Sequence, residues 1–128
     1  MNKKKLLVIN TVGLTENLID QYSVHIKSYL SKNKKCYLVP PIPAVTCTSQ
    51  ASMLTGKDPC DHGIVGNGWL FKDLSQIMLW RQSNALVQSE KIWDVIKKRN
   101  NLFTVANIFW LYNMYSTADY SITPRPIY

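Results

Sequence analysis

Residues 40–56 read PPIPAVTCTSQASMLTG and contain the clearest structural signals in the chain. The prolines at the start of this stretch cannot continue either a helix or a central strand, so they mark a turn. Thr46 and Thr48 are good helix caps, and Gly56 is a typical C-terminal stop. The stretch therefore predicts a turn followed by a short helix that begins near Thr46 and runs through Leu54.

The segments before this stretch alternate between strand and helix patterns. Residues 6–11 form a short apolar run that ends near Gly13, as expected for a strand covered on both faces in a parallel sheet. Apolar residues at helical intervals between Thr15 and Leu30 predict a crossover helix. Residues 36–39 then predict a second strand, which the prolines end.

The segments after this stretch continue the alternation. Residues 56–69 are rich in turn-forming residues and predict a loop. Ser89 predicts the start of a helix whose basic last turn, residues 97–99, suits the negative end of the helix dipole. Residues 103–107 predict another strand. We therefore expect an α/β fold with a mainly parallel sheet flanked by helices, and a single partial domain over residues 1–128.

The composition indicates a globular chain with an excess of positive charge. Of the 128 residues, 46% are hydrophobic and 18% are charged, which is ordinary for a protein that buries a core. The formal net charge of +7 would attract anionic partners, but the lysines cluster near the ends of predicted elements, where solvent exposure explains them. The sequence carries no recognised nucleic-acid-binding motif, so we expect no nucleic-acid partner.

Cysteine content and hydropathy bear on the cellular setting. Cys36, Cys47 and Cys60 fit neither a disulfide framework nor the spacing of a structural zinc site. A reducing, cytoplasmic compartment is the simpler expectation. The apolar run at the N-terminus is broken by Asn10 and Thr11, and no stretch approaches the ~18 apolar residues that span a bilayer. We therefore expect no membrane partner.

Thr46 occupies a position that favours phosphate chemistry. A hydroxyl residue between the end of a strand and the start of a helix lies where open α/β sheets bind their ligands. Backbone N–H groups and the helix dipole attract anions at the same place. Thr46 is therefore a candidate nucleophile, although a threonine that simply caps a helix fits the same pattern.

A longer pattern bears on these two interpretations. After Thr46, three motifs follow in a fixed order, namely Thr55-Gly56, Pro59-Cys60-Asp61-His62-Gly63 and Asn67. In order and spacing they resemble the type I phosphodiesterase/nucleotide pyrophosphatase family of the alkaline phosphatase superfamily. In that family a nucleophilic Thr opens a helix that ends in Thr-Gly, followed by Pro-x-x-His-Gly and then Asn. The resemblance runs from the first predicted strand to residues 124–126, and it implies an alkaline-phosphatase-like fold.

The resemblance also implies an activity and a set of site residues. It implies a metal-dependent hydrolase of small-molecule phosphate esters, with diesters as the expected substrates. Thr46 takes the place of the nucleophile and metal ligand, and Asn67 that of the residue whose amide donates to a phosphate oxygen. Two divalent metal ions, expected to be Zn²⁺, would stabilise the threonine alkoxide and the leaving group.

The chain departs from the family pattern at the metal site. The family has a metal-binding Asp just before an early Gly, where this chain has Val12 before Gly13. Asn10 lies on the same side of a strand and could supply a carbonyl oxygen to the metal, or it could be a polar strand end. The chain has only two histidines, and the remaining ligands of relatives lie downstream. We therefore expect a truncated chain that is inactive alone.

The sequence leaves further alternatives open. Nucleotide-cleaving relatives often carry an aromatic residue after the nucleophile, where this chain has Cys47, so a preference for nucleotides is an open question. Cys47 could itself be a nucleophile, but no His in a suitable context accompanies it. His62 lies in a turn and is expected to be structural. The competing functional class is a non-catalytic remnant or interaction module of the same fold.

Overall fold

The structure, a computed structural model, describes residues 5–124. These residues divide into two units, of which the first ends at Leu38 and the second begins at Val39. Helices and strands both occur, so the predicted mixture of α and β structure is confirmed. Within the described residues the longest helix has 10 residues, and none has the length and apolar character needed to cross a membrane.

Two short helices form the regular structure of the first unit. They are α1 (Glu16–Tyr22) and α2 (Val24–Lys32). The hydroxyl of Thr15 accepts the N–H of Leu18 at 3.3 Å and so caps α1. Ser23 lies between the helices with φ −130° and ψ 77°, outside the helical region. The single crossover helix that the sequence predicts is therefore interrupted at this residue.

The strands predicted at residues 6–11 and 36–39 are not formed in the described part of the chain. Their apolar side chains are exposed, from 61% for Val8 to 92% for Val39. An apolar run indicates a tendency to be buried, but a strand forms only where a second segment supplies the ladder hydrogen bonds. Within residues 5–124 no segment pairs with either one, so both strand predictions are wrong for this structure.

The helix at the start of the second unit is confirmed. It is α3 (Thr46–Thr55), and Gly56 ends it in the left-handed conformation with φ 66°. The prediction that Thr46 or Thr48 caps this helix is wrong. Val45 occupies the cap position, and Thr46 and Thr48 lie inside the first turn, where their side chains make no capping hydrogen bond.

The predicted loop over residues 56–69 contains regular structure. A short helix, α4 (Pro59–His62), begins with a proline, whose fixed φ suits a first helical turn. Gly63 ends it in the left-handed conformation with φ 77°. The loop then gives way to a strand at Gly68.

A small core anchors one face of α3. Cys47 and Ala51 are one helical turn apart, so both point to the same side. They are buried together with residues from later in the chain, and the cluster consists of Cys47, Ala51, Ile64, Leu111 and Tyr112. Half-buried apolar side chains pack against this cluster, namely Trp69, Trp80, Leu86 and Val87. Several of the aromatic residues therefore belong to the core.

An antiparallel hairpin follows Asn67. Its strands are β1 (Gly68–Phe71) and β2 (Gln76–Leu79), joined through a short 3-10 turn at Lys72–Leu74. The rings of Trp69 and Phe71 lie on the same face, with centroids 5.4 Å apart and planes inclined by 20°. This stacked face is half-buried, which fixes the hairpin beside the core.

Helix α5 (Ile92–Arg99) begins later than predicted. Its cap residue is Lys91 and not Ser89. The carboxylate of Asp94 accepts the N–H of Lys91 at 3.0 Å, which satisfies one donor at this helix start. The hydroxyl of Ser89 instead donates to the carbonyl of Asp61 at 3.0 Å. The predicted basic last turn is present.

A second small sheet lies near the end of the described residues. β3 (Ala106–Ile108) pairs in parallel with β4 (Tyr120–Ile122). β3 overlaps the end of the strand predicted at residues 103–107, so that prediction is confirmed in part. Over residues 5–124 the structure has two sheets of two strands each, one antiparallel and one parallel. A mainly parallel sheet is therefore not established.

Candidate active site

Thr46 is the first residue of α3 and is half-buried. Val45 precedes it in an extended conformation, with φ −112° and ψ 161°, and makes no side-chain cap. The first backbone bond of the helix runs from the N–H of Ser49 to the carbonyl of Val45 at 2.9 Å. The N–H groups before this bond have no partner inside the helix. The start of α3 therefore offers donors and a positive dipole end to an anion beside the Thr46 hydroxyl.

Asn67 contacts the start of α3 through its side chain. Its Oδ1 accepts the backbone N–H of Cys47 at 3.0 Å. Because that N–H can only donate, the carbonyl oxygen of the amide faces the helix and the Nδ2 group is turned toward another direction. The backbone carbonyl of Asn67 accepts the N–H of Trp80 at 2.8 Å. Two hydrogen bonds thus hold Asn67 between α3 and the β1–β2 hairpin.

The structure brings two of the three predicted site residues to the same end of α3. Asn67 binds Cys47, the residue next to Thr46 in the chain. The catalytic roles of Thr46 and Asn67 stay predictions, because the geometry shows proximity and not reaction. Asn10, the third predicted residue, is half-buried in the first unit. Its role as a metal ligand also stays a prediction.

Comparison with known proteins assigns the chain to a family. A family model described as type I phosphodiesterase / nucleotide pyrophosphatase matches residues 6–128. The chain belongs to this family. Membership indicates a hydrolase of the phosphodiesterase or pyrophosphatase type in general, and suggests an alkaline-phosphatase-like fold. No curated protein and no solved structure matches the chain.

Cys47 sits beside the predicted nucleophile of this phosphodiesterase family member. It is fully buried, at 0% exposure, so it offers no surface on which a nucleobase could stack. Burial raises the pKa of its thiol, and a hydrogen bond from the phenol of Tyr112 opposes this shift. A thiol with a raised pKa in an apolar site is a poor nucleophile. The geometry therefore disfavours the thiol-enzyme alternative.

His62 ties α4 to α3. Its Nδ1 accepts the N–H of Ile64 at 3.1 Å, and its Nε2 lies 2.9 Å from the hydroxyl of Ser52. Since Nδ1 accepts, the neutral ring carries its proton on Nε2 and donates it to Ser52. The ring is fully buried, and burial lowers its pKa. Both nitrogens are engaged within the chain, which agrees with the structural role expected from the sequence.

The burial of His62 predicts a dependence of stability on pH. The unfolded chain protonates this ring near its ordinary pKa of 6.5, whereas the folded chain does so only at lower pH. The stabilisation is thus complete above the unfolded value and is lost as pH falls through the folded value. The free energy of unfolding, measured with urea at about pH 7.5 and about pH 5.5, should fall on acidification.

Two variants isolate this effect. His62→Gln should lose part of the acid-induced decrease, because the titrating group is gone. His25→Gln, at an exposed position of α2, is the matched control and should keep the wild-type decrease. An unchanged pH dependence in His62→Gln would contradict this explanation.

Gly68 determines how closely the hairpin strands approach just after Asn67. A Cβ atom at Gly68 would lie 2.3 Å from Cδ2 of Leu79 and 2.7 Å from the carbonyl oxygen of Met78. The carbonyl cannot move without opening the hairpin, so Gly68→Ala should lower the free energy of unfolding by about 1–3 kcal/mol in a urea titration. Leu70→Ala, at an exposed position of the same strand, should change it by only about 0.5 kcal/mol. Equal effects would show that packing at Gly68 is unimportant.

The described residues do not provide a metal centre by themselves. Across residues 5–124 no group of three or more His, Cys, Asp or Glu side chains lies close enough to hold a metal ion. Two zinc ions require several such ligands. The donor set in the described structure therefore does not fit the two-metal site that the family resemblance implies.

Gln50 and Tyr112 contact the region around Cys47, and Lys91 in turn binds Tyr112. The sequence assigned none of the three a supporting role at this site. Gln50 accepts the N–H of Leu111 at 2.8 Å, and the phenol of Tyr112 hydrogen-bonds Cys47. These contacts join α3 to a segment far along the chain, and no local pattern specifies them. The concentration of aromatic residues over residues 109–115 was the one signal that could have indicated a buried segment.

Proposed function

We propose that this chain carries the nucleophile of a phosphodiesterase and that Thr46 attacks phosphorus. The observation that supports the proposal is the hydrogen bond from the Cys47 N–H to Asn67 Oδ1, at 3.0 Å. It sets the amide of Asn67 beside the helix start that opens with Thr46. Two residues that the family resemblance assigns to phosphate chemistry are thereby neighbours in space.

The proposed reaction has two steps. The oxygen of the Thr46 hydroxyl forms a bond to phosphorus, the hydroxyl proton is released to solvent, and the bond from phosphorus to the leaving oxygen breaks. Water then hydrolyses the phosphothreonine ester and restores the hydroxyl. A threonine hydroxyl is weakly nucleophilic at neutral pH. Its position at the positive end of α3 favours both the anionic substrate and negative charge on the attacking oxygen.

Asn67 supports the charge that develops on the phosphate. With Oδ1 engaged by Cys47, its Nδ2 group is the part that can donate to a non-bridging oxygen. Backbone N–H groups in the first turn of α3 are further donors. Donors that are already oriented stabilise the transition state without a cost of reorganisation at the moment of reaction. Asn67 is thus proposed to hold the phosphate and not to transfer a proton.

The proposal includes two divalent ions, expected to be Zn²⁺, with Thr46 and Asn10 among their ligands. Because the described donor set does not make such a site, no reaction step is assigned to the ions. Isothermal titration of the protein with zinc tests this part separately. Two equivalents bound, and fewer in Thr46→Ala, would support it.

Hydrolysis of bis-p-nitrophenyl phosphate tests the proposed activity. The protein expressed from its complete reading frame should release p-nitrophenol when zinc is added, and it should act faster on this diester than on p-nitrophenyl phosphate. A preference for the monoester would shift the proposal to a phosphatase. Absence of hydrolysis of both would contradict it.

A non-catalytic remnant of the fold is the second candidate. Val12 favours it, because this side chain stands where relatives carry a metal-binding Asp and it cannot bind a metal. The two candidates differ in zinc binding. A remnant should bind no zinc and hydrolyse neither ester. The enzyme should bind zinc and hydrolyse the diester.

A further inference from the structure

Tyr112 is the largest fully buried side chain among the described residues, with 1% exposed. Its backbone is left-handed, with φ 54°. This conformation costs free energy at a non-glycine residue, so contacts that hold Tyr112 must offset that cost. Tyr112 packs with Cys47 in one buried cluster, where its phenol hydrogen-bonds the Cys47 thiol. The N–H of the preceding residue, Leu111, donates to Oε1 of Gln50 at 2.8 Å. Both contacts reach α3.

Lys91 fixes the same residue through a contact that does not involve α3. Its ammonium donates to the carbonyl of Tyr112, and it lies 5.2 Å from the ring centroid of Trp93. The side chain is 2% exposed, and burial lowers its pKa to about 8. A buried ammonium is costly to leave without a partner, so this hydrogen bond resists displacement. The backbone of Tyr112 is thus held in place independently of α3.

Cys47 links Tyr112 to Asn67. Its thiol accepts a hydrogen bond from the phenol of Tyr112. Its backbone N–H donates to Oδ1 of Asn67 at 3.0 Å. One residue therefore carries both contacts, one through the side chain and one through the backbone. A displacement of Cys47 that breaks the first contact would disturb the second.

We propose that Tyr112 is a positioning residue, which acts through Cys47 to hold the start of α3 against Asn67. The fixed phenol is the reference point, and the Cys47 N–H, Asn67 and Thr46 take their positions from it. The catalytic consequence rests on the proposed function of Thr46. The control of the contact between Cys47 and Asn67 does not, so it can be tested without any enzymatic assay.

Hydrogen exchange of the residue 47 amide provides that test. Tyr112→Phe removes the hydroxyl and keeps the ring, so the amide should exchange about fivefold faster in isotope-labelled protein studied by NMR. Tyr115→Phe is the matched control. Tyr115 is also left-handed, with φ 61°, but it is 86% exposed. The control should exchange at the wild-type rate.

Cys47→Ala removes the acceptor of the same hydrogen bond and serves as a second approach if Tyr112→Phe does not fold. It should accelerate exchange of the residue 47 amide by a similar factor, about fivefold. The proposal would be overturned if the residue 47 amide exchanged at the wild-type rate in whichever of Tyr112→Phe and Cys47→Ala folds.

Kinetics separate this inference from the proposed function. Tyr112→Phe should lower kcat for bis-p-nitrophenyl phosphate about fivefold with KM unchanged, and it should have no effect in a Thr46→Ala background. Faster exchange without Thr46-dependent hydrolysis in the wild type would support the positioning role and reject the proposed function. Normal exchange with Thr46-dependent hydrolysis would reject the positioning role alone.

Discussion

Replacing Thr46 with alanine should reduce hydrolysis of bis-p-nitrophenyl phosphate by about 10³-fold or more. The hydroxyl is the group proposed to bond to phosphorus, and the adjacent thiol cannot replace it. Cys47 is fully buried, with a pKa raised by burial, so its sulfur cannot take over the attack. The measurement is the rate of p-nitrophenol release at saturating substrate with zinc added.

Two controls accompany this variant. Thr46→Ser keeps a hydroxyl at the start of α3 and should retain measurable activity. Thr104→Ala makes the same deletion at an exposed position and should be fully active. A Thr46→Ala protein with wild-type kcat would exclude Thr46 as the nucleophile, whatever the substrate.

Asn67→Asp should lower kcat by about 10²–10³-fold, because it removes the proposed donor to the phosphate oxygen. The aspartate keeps an oxygen that can accept the Cys47 N–H, which Asn67 Oδ1 accepts at 3.0 Å. The fold should therefore survive, and circular dichroism with urea denaturation checks this. The carboxylate also repels an anionic substrate, so KM should rise.

Asn101→Asp is the matched control for Asn67→Asp. It adds the same charge at an exposed turn residue, so its kcat and KM should equal those of the wild type. If Asn67→Asp retained full activity while remaining folded, the amide of Asn67 would have no part in holding the phosphate.

Residues that restrict their own backbone correctly predicted the helix that they flank. α3 extends over Thr46–Thr55 as expected, because the prolines before it and Gly56 after it restrict the backbone wherever they occur. The spacing from Thr55-Gly56 to Asn67 also identified two residues that the structure brings to one helix end. This assignment came from the family resemblance and not from a local physical signal.

The sequence could not predict features that depend on distant partners. Residues 6–11 have the composition of a buried strand, yet they are exposed and unpaired within residues 5–124. Pairing requires a second strand, and the apolar pattern carries no information about whether one is available. For the same reason the predicted mainly parallel sheet is represented in the described chain by only two short two-stranded sheets.

The supports of the candidate site were also outside the reach of sequence patterns. Lys91 would be expected on the surface, but it is 2% exposed and binds the Tyr112 carbonyl. Tyr112 adopts a left-handed conformation, with φ 54°, that its residue type disfavours. Both depend on contacts between segments that are far apart in the chain. Such contacts appear only once the fold has formed.

Trapping the covalent intermediate tests the central claim most directly. The protein is mixed with bis-p-nitrophenyl phosphate and zinc, quenched in acid during turnover, digested, and analysed by mass spectrometry. An adduct of mono-p-nitrophenyl phosphate on Thr46 is expected, because attack releases only one of the two p-nitrophenol groups. In Thr46→Ser the same adduct should form on the introduced serine. Steady turnover with no adduct at residue 46, or an adduct at another residue, would contradict the assignment of Thr46 as the nucleophile.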